Sequence, residues 1–506
     1  MVSGAVPIRR TIVKRRPCGS LGTTKDSLYQ PGRVDRDVLK RCTKMTREQW
    51  LKHQKGMDAM WPLPPHMEGE KGHVKYKDET YALVTRWTAG TKIAYRPHAK
   101  APGSKSHLRY EKYSRATTVG EALKLGSYPA DWCWDYERGF IKVVGGQIRD
   151  EPLDISKGDE SQVTDVDRAI NTWYVRELAK MLSMKPAELS KSLGWGESVH
   201  IRALRLLAQR EASERLEAAD REGRRITDAE VLLTLKRWPF FRNPWRKNVM
   251  QPGKTWVFSD TLGLLRDRQG DIHLTAPTRR YPQVAELFAR WLTDRLPEEA
   301  KGFTFTSMNV NCNYAAAIHR DNGNFGPSFI RAFGDFSGGA LNYWPEDTGS
   351  DISSLPKGKK VSFDLGKGLA LFNGNCAHSV EAFEGSRYSI VYFTLSCHAS
   401  VRPEDRAKMR QLGVPLPAAD ADPYQLLRPP AGYGAKATPT NGGKPAFRFF
   451  EAAALDRRRC GRKAKSAAEV KKIASARVAP ENARSFYRTE QRRARRDEDE
   501  GADMDY

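Results

Sequence analysis

Residues 368–394 run GLALFNGNCAHSVEAFEGSRYSIVYFT, and how this stretch is read decides the fold. GLALF and RYSIVYFT are apolar, β-branched and aromatic runs of strand length, separated by the turn formers of FNGN and by Gly385. Three runs upstream have the same character: FTFTSMNV from Phe303, GGALNYW from Gly338 and KKVSFDL from Lys359. Several short strands in close succession, with no helical period between them, predict an antiparallel sandwich or barrel over 301–400.

Outward from this core the pattern changes. Between about 164 and 235, Leu178, Met181, Leu182, Ile201, Leu204, Leu206, Leu207 and Leu216 recur at spacings of three and four with charges between them. That period predicts amphipathic helices, so 160–300 is expected to be a mainly helical support region. WPFFRNPW at 238–245 reads as an aromatic, proline-rich plug between domains. Residues 41–150 suggest a small basic α+β module, with 80–96 as two short strands around Ala89-Gly90, a basic loop at 101–105 and a helix from Thr117 to Leu125. Residues 1–40 read as a disordered basic arm holding Arg9, Arg10, Lys14, Arg15 and Arg16, a nuclear-localisation patch or an organellar transit segment. Residues 401–506 read as a Pro/Gly-rich linker and a basic disordered tail that ends in DEDEGADMD. The fold class is α+β.

Composition narrows the function. The seven cysteines are scattered and form no C-x-x-C pair, which argues against a disulfide framework or a zinc ribbon and for an intracellular setting. No apolar run reaches the ~18 residues of a membrane span, and no P-loop or internal repeat is present. The net charge of +24 points to a polyanionic partner, usually nucleic acid. Two segments concentrate it. Residues 71–115 carry eleven Lys/Arg against three acids, interleaved with Tyr76, Tyr81, Trp87, Tyr95, Tyr110 and Tyr113, a pattern suited to backbone contact with base stacking. Residues 457–496 carry fifteen Lys/Arg against three Glu. The nucleus is the favoured compartment, with an organelle as the alternative.

Most of the ten histidines stand alone, but His319-Arg320-Asp321 does not. If this segment ends a strand, the spacing of two points His319 and Asp321 to one face. With His378 as a distal third ligand, they would form the two-histidine, one-carboxylate facial set that leaves open positions on iron. Arg387 lies nine residues beyond His378 at the start of the last strand, and Ser389, again at spacing two, shares its face. A guanidinium fork with a hydroxyl beside it can clamp a terminal carboxylate. The bland alternative makes the histidines structural and Arg387 a surface ion pair.

The order H-x-D, G-G-x-L, G-x-x-x-x-F…H and R-Y-S over residues 300–396 resembles the 2-oxoglutarate/Fe(II) dioxygenase superfamily. The resemblance implies a double-stranded β-helix (jelly-roll) core. It implies Fe(II) on His319, Asp321 and His378, and 2-oxoglutarate on Arg387 and Ser389, with ascorbate as an accessory. It also implies oxidative decarboxylation to succinate and CO2 coupled to hydroxylation of an unactivated C–H bond. Within the superfamily, HRDNGNFGPS and AFGDFSGGAL are most similar to the TET/JBP group, which acts on methyl groups of DNA pyrimidines. The cysteine-rich zinc region of animal members is missing. Asn322, Asn324 and Ser328 are candidates for the substrate mouth or simple turn formers, and Asn313 and Tyr314 for 2-oxoglutarate contact or core packing. The alternatives are a prolyl-type protein hydroxylase, which the arginine in place of a lysine disfavours, and a nucleic-acid-binding scaffold that no longer turns over.

Overall fold

The computed structural model describes residues 46–69, 76–102, 104, 106–155, 160–191, 193–194, 197–267, 269–431, 443–458 and 460–477. The basic arm expected at 1–40 lies outside them. The chain divides into two compact units, residues 1–177 and 178–506. Among the described residues, no helix is long and apolar enough to cross a membrane.

The first unit holds a two-stranded antiparallel sheet, β1 (Trp87–Tyr95) with β2 (Ile141–Ile148), and short helices around it. The sequence reading of 80–96 is corrected here. Asp78–Val84 is a helix with Asp78 and Glu79 in its first turn, where carboxylates meet the positive end of the dipole, and only Trp87–Tyr95 is strand. The helix from Val119 is as expected, with Thr118 capping Glu121 N–H. The aromatics of 71–115 are also corrected. Tyr81, Trp87, Tyr95, Tyr110 and Tyr113 are buried, and Tyr95, Tyr110 and Tyr113 pack edge-on or tilted against one another. They form a core, not a platform for bases. Lys100 is likewise turned inward, salt-bridged to buried Asp135 and held beside the Tyr110, Trp134 and Phe140 rings.

The second unit is built on β3 (Arg242–Asn243), β4 (Val257–Arg266), β5 (Ile272–Leu274), β6 (Ser307–Cys312), β7 (Ser328–Gly338), β8 (Leu341–Tyr343), β9 (Val361–Phe363), β10 (Gly368–Phe372), β11 (His378–Val380), β12 (Phe383–Phe393) and β13 (Arg448–Glu451). The large sheet runs β13-β10-β7-β12-β6-β4-β3, with β5 paired to β4. A small sheet runs β11-β8-β9, and every pairing is antiparallel. Strand therefore extends beyond 301–400: β4 and β5 fall in the stretch read as mainly helical, and β13 falls in the expected tail.

Alternation along β12 separates two environments. Ile390 and Tyr392 join an apolar core with the helices Val199–Glu222, Asp228–Arg237 and Pro282–Thr293, while Arg387, Ser389 and Val391 face a cavity on the other side. The helix Pro282–Thr293 shows why it covers the sheet. Proline stands at its first position, and Val284, Leu287, Phe288, Trp291 and Leu292, at spacings of three and four, are all fully buried. Truncating one such aromatic to alanine costs about 3–5 kcal/mol.

The tail is corrected as well. Pro403–Gln411, Ala452–Arg457 and Ala467–Ala476 are helices, the last capped by Ser466. Arg462 pairs with Asp294 at 2.7 Å, and Lys465 with buried Asp220 at 3.2 Å. Arg477, half-buried with its side chain 6% exposed, reaches Asp220 at 3.3 Å and Glu286 at 3.1 Å. Gly223 ends the Val199–Glu222 helix in the left-handed region, and any Cβ there would lie 2.3 Å from Ala464 N, so the tail crosses against its backbone. Residues 478–496 lie outside the described residues.

Candidate metal and anion site

His319 does not end a strand, as the sequence reading supposed. It forms an isolated antiparallel bridge with His378, each backbone N–H donating to the other's carbonyl at 3.0 Å. That pairing sets the two rings side by side, with centroids 4.2 Å apart. Asp321 closes the group. Its oxygens lie 3.6 Å from His319 Nε2 and 3.9 Å from His378 Nε2, and one ligand atom from each residue lies within 4.8 Å of the others.

Hydrogen bonds fix which nitrogens point inward. His319 Nδ1 is 2.8 Å from Ala317 O, and His378 Nδ1 is 2.9 Å from Cys376 O. A carbonyl can only accept, so each Nδ1 carries a proton and each Nε2 is the nitrogen that faces Asp321. Burial holds His319 well below the ordinary imidazole range, with His378 beside it adding to the effect. Burial raises Asp321, but His378, His319 and Arg246 outweigh it and keep the carboxylate ionised. Asn324 donates to Asp321 at 3.3 Å.

Arg320 is turned to a different partner. It pairs with buried Asp347 at 2.6 and 2.8 Å, and Asp347 also accepts from Ala377 N at 2.7 Å. One carboxylate thus ties the loop of His319 and Asp321 to the residue preceding His378. Nothing in the sequence of Trp344–Asp347 announces this role.

Arg387 is 3% exposed, and its Nε and Nη2 have no hydrogen-bond partner among the described residues. It is not a surface ion pair. Phe336 and Phe383 flank the guanidinium at 5.5 and 5.6 Å, and burial pushes its pKa down to about 10. Gly339, at φ +68°, makes room for it, since a Cβ there would sit 2.8 Å from Arg387 Nε. Ser389 Oγ accepts from Asn311 Nδ2 at 3.3 Å, which leaves the hydroxyl hydrogen for an anion beside Arg387. Asn311 in turn accepts from Tyr314 at 2.9 Å, and Asn313 accepts from Arg387 N at 2.8 Å.

The triad, Arg387, Ser389, Tyr314 and Asn324 all line one cavity of about 1150 Å³. Asn322, which is exposed, and Ser328, which is buried at the start of β7, do not line it. Sequence reasoning missed Arg246, Asn309 and Asn311 on its wall.

No family model and no curated protein matches the chain. Among solved structures, NgTET1 in complex with 5mC DNA is 21% identical with a TM-score of 0.20, over 27% of this chain and 61% of that one. The chain thus spans about three-fifths of that protein's length. A 2OG-Fe(II) oxygenase family oxidoreductase from Burkholderia pseudomallei is 13% identical, with a TM-score of 0.21, over 37% of this chain and 88% of that one. A prolyl hydroxylase from Trichoplax adhaerens, in complex with a hypoxia inducible factor peptide, is 12% identical with a TM-score of 0.17, over 47% and 96%. At these scores the likenesses carry no weight for fold or chemistry. The site's own geometry does.

Proposed function

We propose that this chain is an Fe(II)- and 2-oxoglutarate-dependent oxygenase. One observation carries the proposal: a His/Asp/His donor set and a buried arginine whose Nε and Nη2 have no hydrogen-bond partner among the described residues line the same cavity. An unpaired buried cation is costly unless an anion completes it, and a dicarboxylate that reaches the metal with its other end fits the requirement. The strand order supports a double-stranded β-helix as the core. β6, β7, β10 and β12 lie in the large sheet, while β8, β9 and β11, with the His319 bridge, lie in the small one.

On this reading His319, Asp321 and His378 hold Fe(II), and two neutral imidazoles and one carboxylate leave open positions on one side of the ion. Iron supplies the oxygen chemistry: 2-oxoglutarate, O2 and a C–H bond give succinate, CO2 and an alcohol. Arg387 takes the distal carboxylate through paired N–H donors, and the Ser389 hydroxyl adds a third. Asp347 keeps the two ligand-bearing loops in register. Ascorbate is a proposed accessory.

The proposed substrate is a methyl group on a nucleic-acid pyrimidine, which the net charge of +24 and Arg246 on the cavity wall support. His319→Ala, Asp321→Ala and His378→Ala should each abolish Fe(II)-dependent succinate release while the circular dichroism spectrum stays unchanged. Mass spectrometry of methylated DNA and of proline-containing peptides reads which of them gains one oxygen. Full succinate release by any of these variants removes that residue from the triad.

A further inference from the structure

We infer that Trp245 and Arg246 grip the substrate strand, the indole stacking on a base and the guanidinium taking a backbone phosphate of single-stranded nucleic acid. The inference rests on the proposed oxygenase reading for what happens inside the cavity, and it adds which residues hold the substrate there.

The segment after β3 is built to present these two side chains. Asn243 Oδ1 accepts from Trp245 N at 3.0 Å in a tight turn through Pro244, and the next residues form the short helical turn Lys247–Val249. Val249 is fully buried with Val257 and Ala316, and its carbonyl accepts from Ala317 N at 2.9 Å. Ala317 O is the acceptor that fixes the His319 tautomer. Gln251 adds a bond to Ala315 O at 3.2 Å. The segment is therefore fastened alongside the stretch that leads into the triad, and its position relative to His319 is set by main-chain bonds.

What it presents is unusual in this chain. Trp245 lines the cavity yet is 61% exposed, whereas Trp238, seven residues earlier, is 2% exposed with its Nε1–H bonded to Asp260. Among the described residues no carboxylate forms an ion pair with Arg246, although Arg205 and Arg280 on the same wall are held by Asp260 and Glu197. Arg246 is near enough for its charge to lower both His319 and Asp321. An uncompensated cation close to the reacting centre, next in sequence to an exposed ring at the cavity wall, matches a ligand with alternating anions and flat rings. An acidic peptide would use the cation and bring no flat ring to an indole that is 61% exposed. The cavity has room for such a ligand, since about 1150 Å³ exceeds what a five-carbon dicarboxylate fills.

The test is equilibrium binding of the full chain to an end-labelled, mixed-sequence single-stranded DNA 12-mer by fluorescence anisotropy across a salt series. Without iron or 2-oxoglutarate, binding is read independently of turnover. Trp245→Ala should weaken binding roughly ten-fold or more, and Trp245→Phe should retain most of it. Arg246→Gln should flatten the slope of log K against log salt by about 0.7, one phosphate on a single strand. Lys301→Ala, a surface cation paired with Glu298, serves as the control and should bind as the parent does. Unchanged affinity in Trp245→Ala with an unchanged slope in Arg246→Gln overturns the inference. So does an equal loss in Lys301→Ala, or a parent that binds a poly-glutamate peptide more tightly than the oligonucleotide. Failure of the oxygenase reading looks different: no succinate is released, while the binding differences remain.

Discussion

Replacing Arg387 by methionine should make the ligand-free protein more stable while ending its response to 2-oxoglutarate. The guanidinium is 3% exposed with two unpartnered N–H groups, and burial pushes its pKa down to about 10. At about 1.36 kcal/mol per pH unit, the ionised side chain gives up on the order of 3 kcal/mol on entering the fold. The Phe336 and Phe383 rings return part of this, about 0.5–1 kcal/mol each. A net cost of roughly 1–2 kcal/mol remains, and methionine, which fills similar space and contacts aromatic rings well, removes it. The sign follows from linkage: at neutral pH arginine is protonated folded and unfolded, so the full cost is present and would be relieved only as pH rises through about 10. The assay is urea unfolding with and without 2-oxoglutarate, anaerobically with Fe(II). The parent should gain about 2.7 kcal/mol at a hundred-fold excess over Kd, and Arg387→Met should gain nothing from a higher ligand-free baseline. A variant less stable than the parent by more than ~2 kcal/mol, or one still stabilised by 2-oxoglutarate, would refute the reasoning.

Asp347→Asn removes the charge that joins Arg320 to Ala377 N, so metal affinity should fall about 10–100-fold with circular dichroism unchanged, measured by metal titration. The ligand-free protein should lose stability as pH drops below about 6.5. Buried His319 stays neutral there while its unfolded counterpart binds a proton. His319→Gln should remove that part of the slope in urea unfolding between pH 6.5 and 4. Asp220→Asn leaves Arg290, Lys465 and Arg477 facing a neutral amide in a buried position, so it should destabilise by about 3–5 kcal/mol. A loss below 1 kcal/mol in denaturant unfolding would mean that the tail contributes little to the fold.

Much of the site was legible because strand alternation is a rigid rule. Spacing two puts Arg387 and Ser389 on one face wherever β12 is placed, whereas His319 and Asp321 lie outside any strand and are brought together with His378 by an isolated bridge. What sequence could not supply were partners distant in the chain. Asp347 acts only because folding brings it to Arg320 and Ala377, and no motif marks it. β13 is four residues long, too short for any period to show, and is strand because β10 offers it an edge. β4 carries Ser259, Asp260 and Thr261 where a strand signal should be strongest. Asp260 is there because Arg205, Trp238 Nε1 and Phe241 N all converge on it. TYALV at 80–84 looks extended by composition, yet Asp78 and Glu79 ahead of it and burial of Tyr81 and Val84 favour one helical turn and more.

The same limit governs the charge, and here the structure redirects the argument. A count of lysine and arginine cannot say whether a cation faces solvent or a carboxylate. In the tail, Arg462, Lys465 and Arg477 are drawn to Asp294, Asp220 and Glu286, so these three cations of the basic run fasten it to the helices, while Lys463, Lys471 and Lys472 stay exposed. In the first unit, Lys100 is committed to Asp135 and the interleaved aromatics to one another. Burial raises Asp220, but Arg290, Lys465 and Arg477 together outweigh it and pull the carboxyl below the ordinary range. Cations held this way release few counterions to a polyanion, because their fields are already met. Arg246, on the cavity wall beside the triad and without such a carboxylate among the described residues, is in the opposite position. If this protein acts on nucleic acid, recognition starts at the mouth of the cavity.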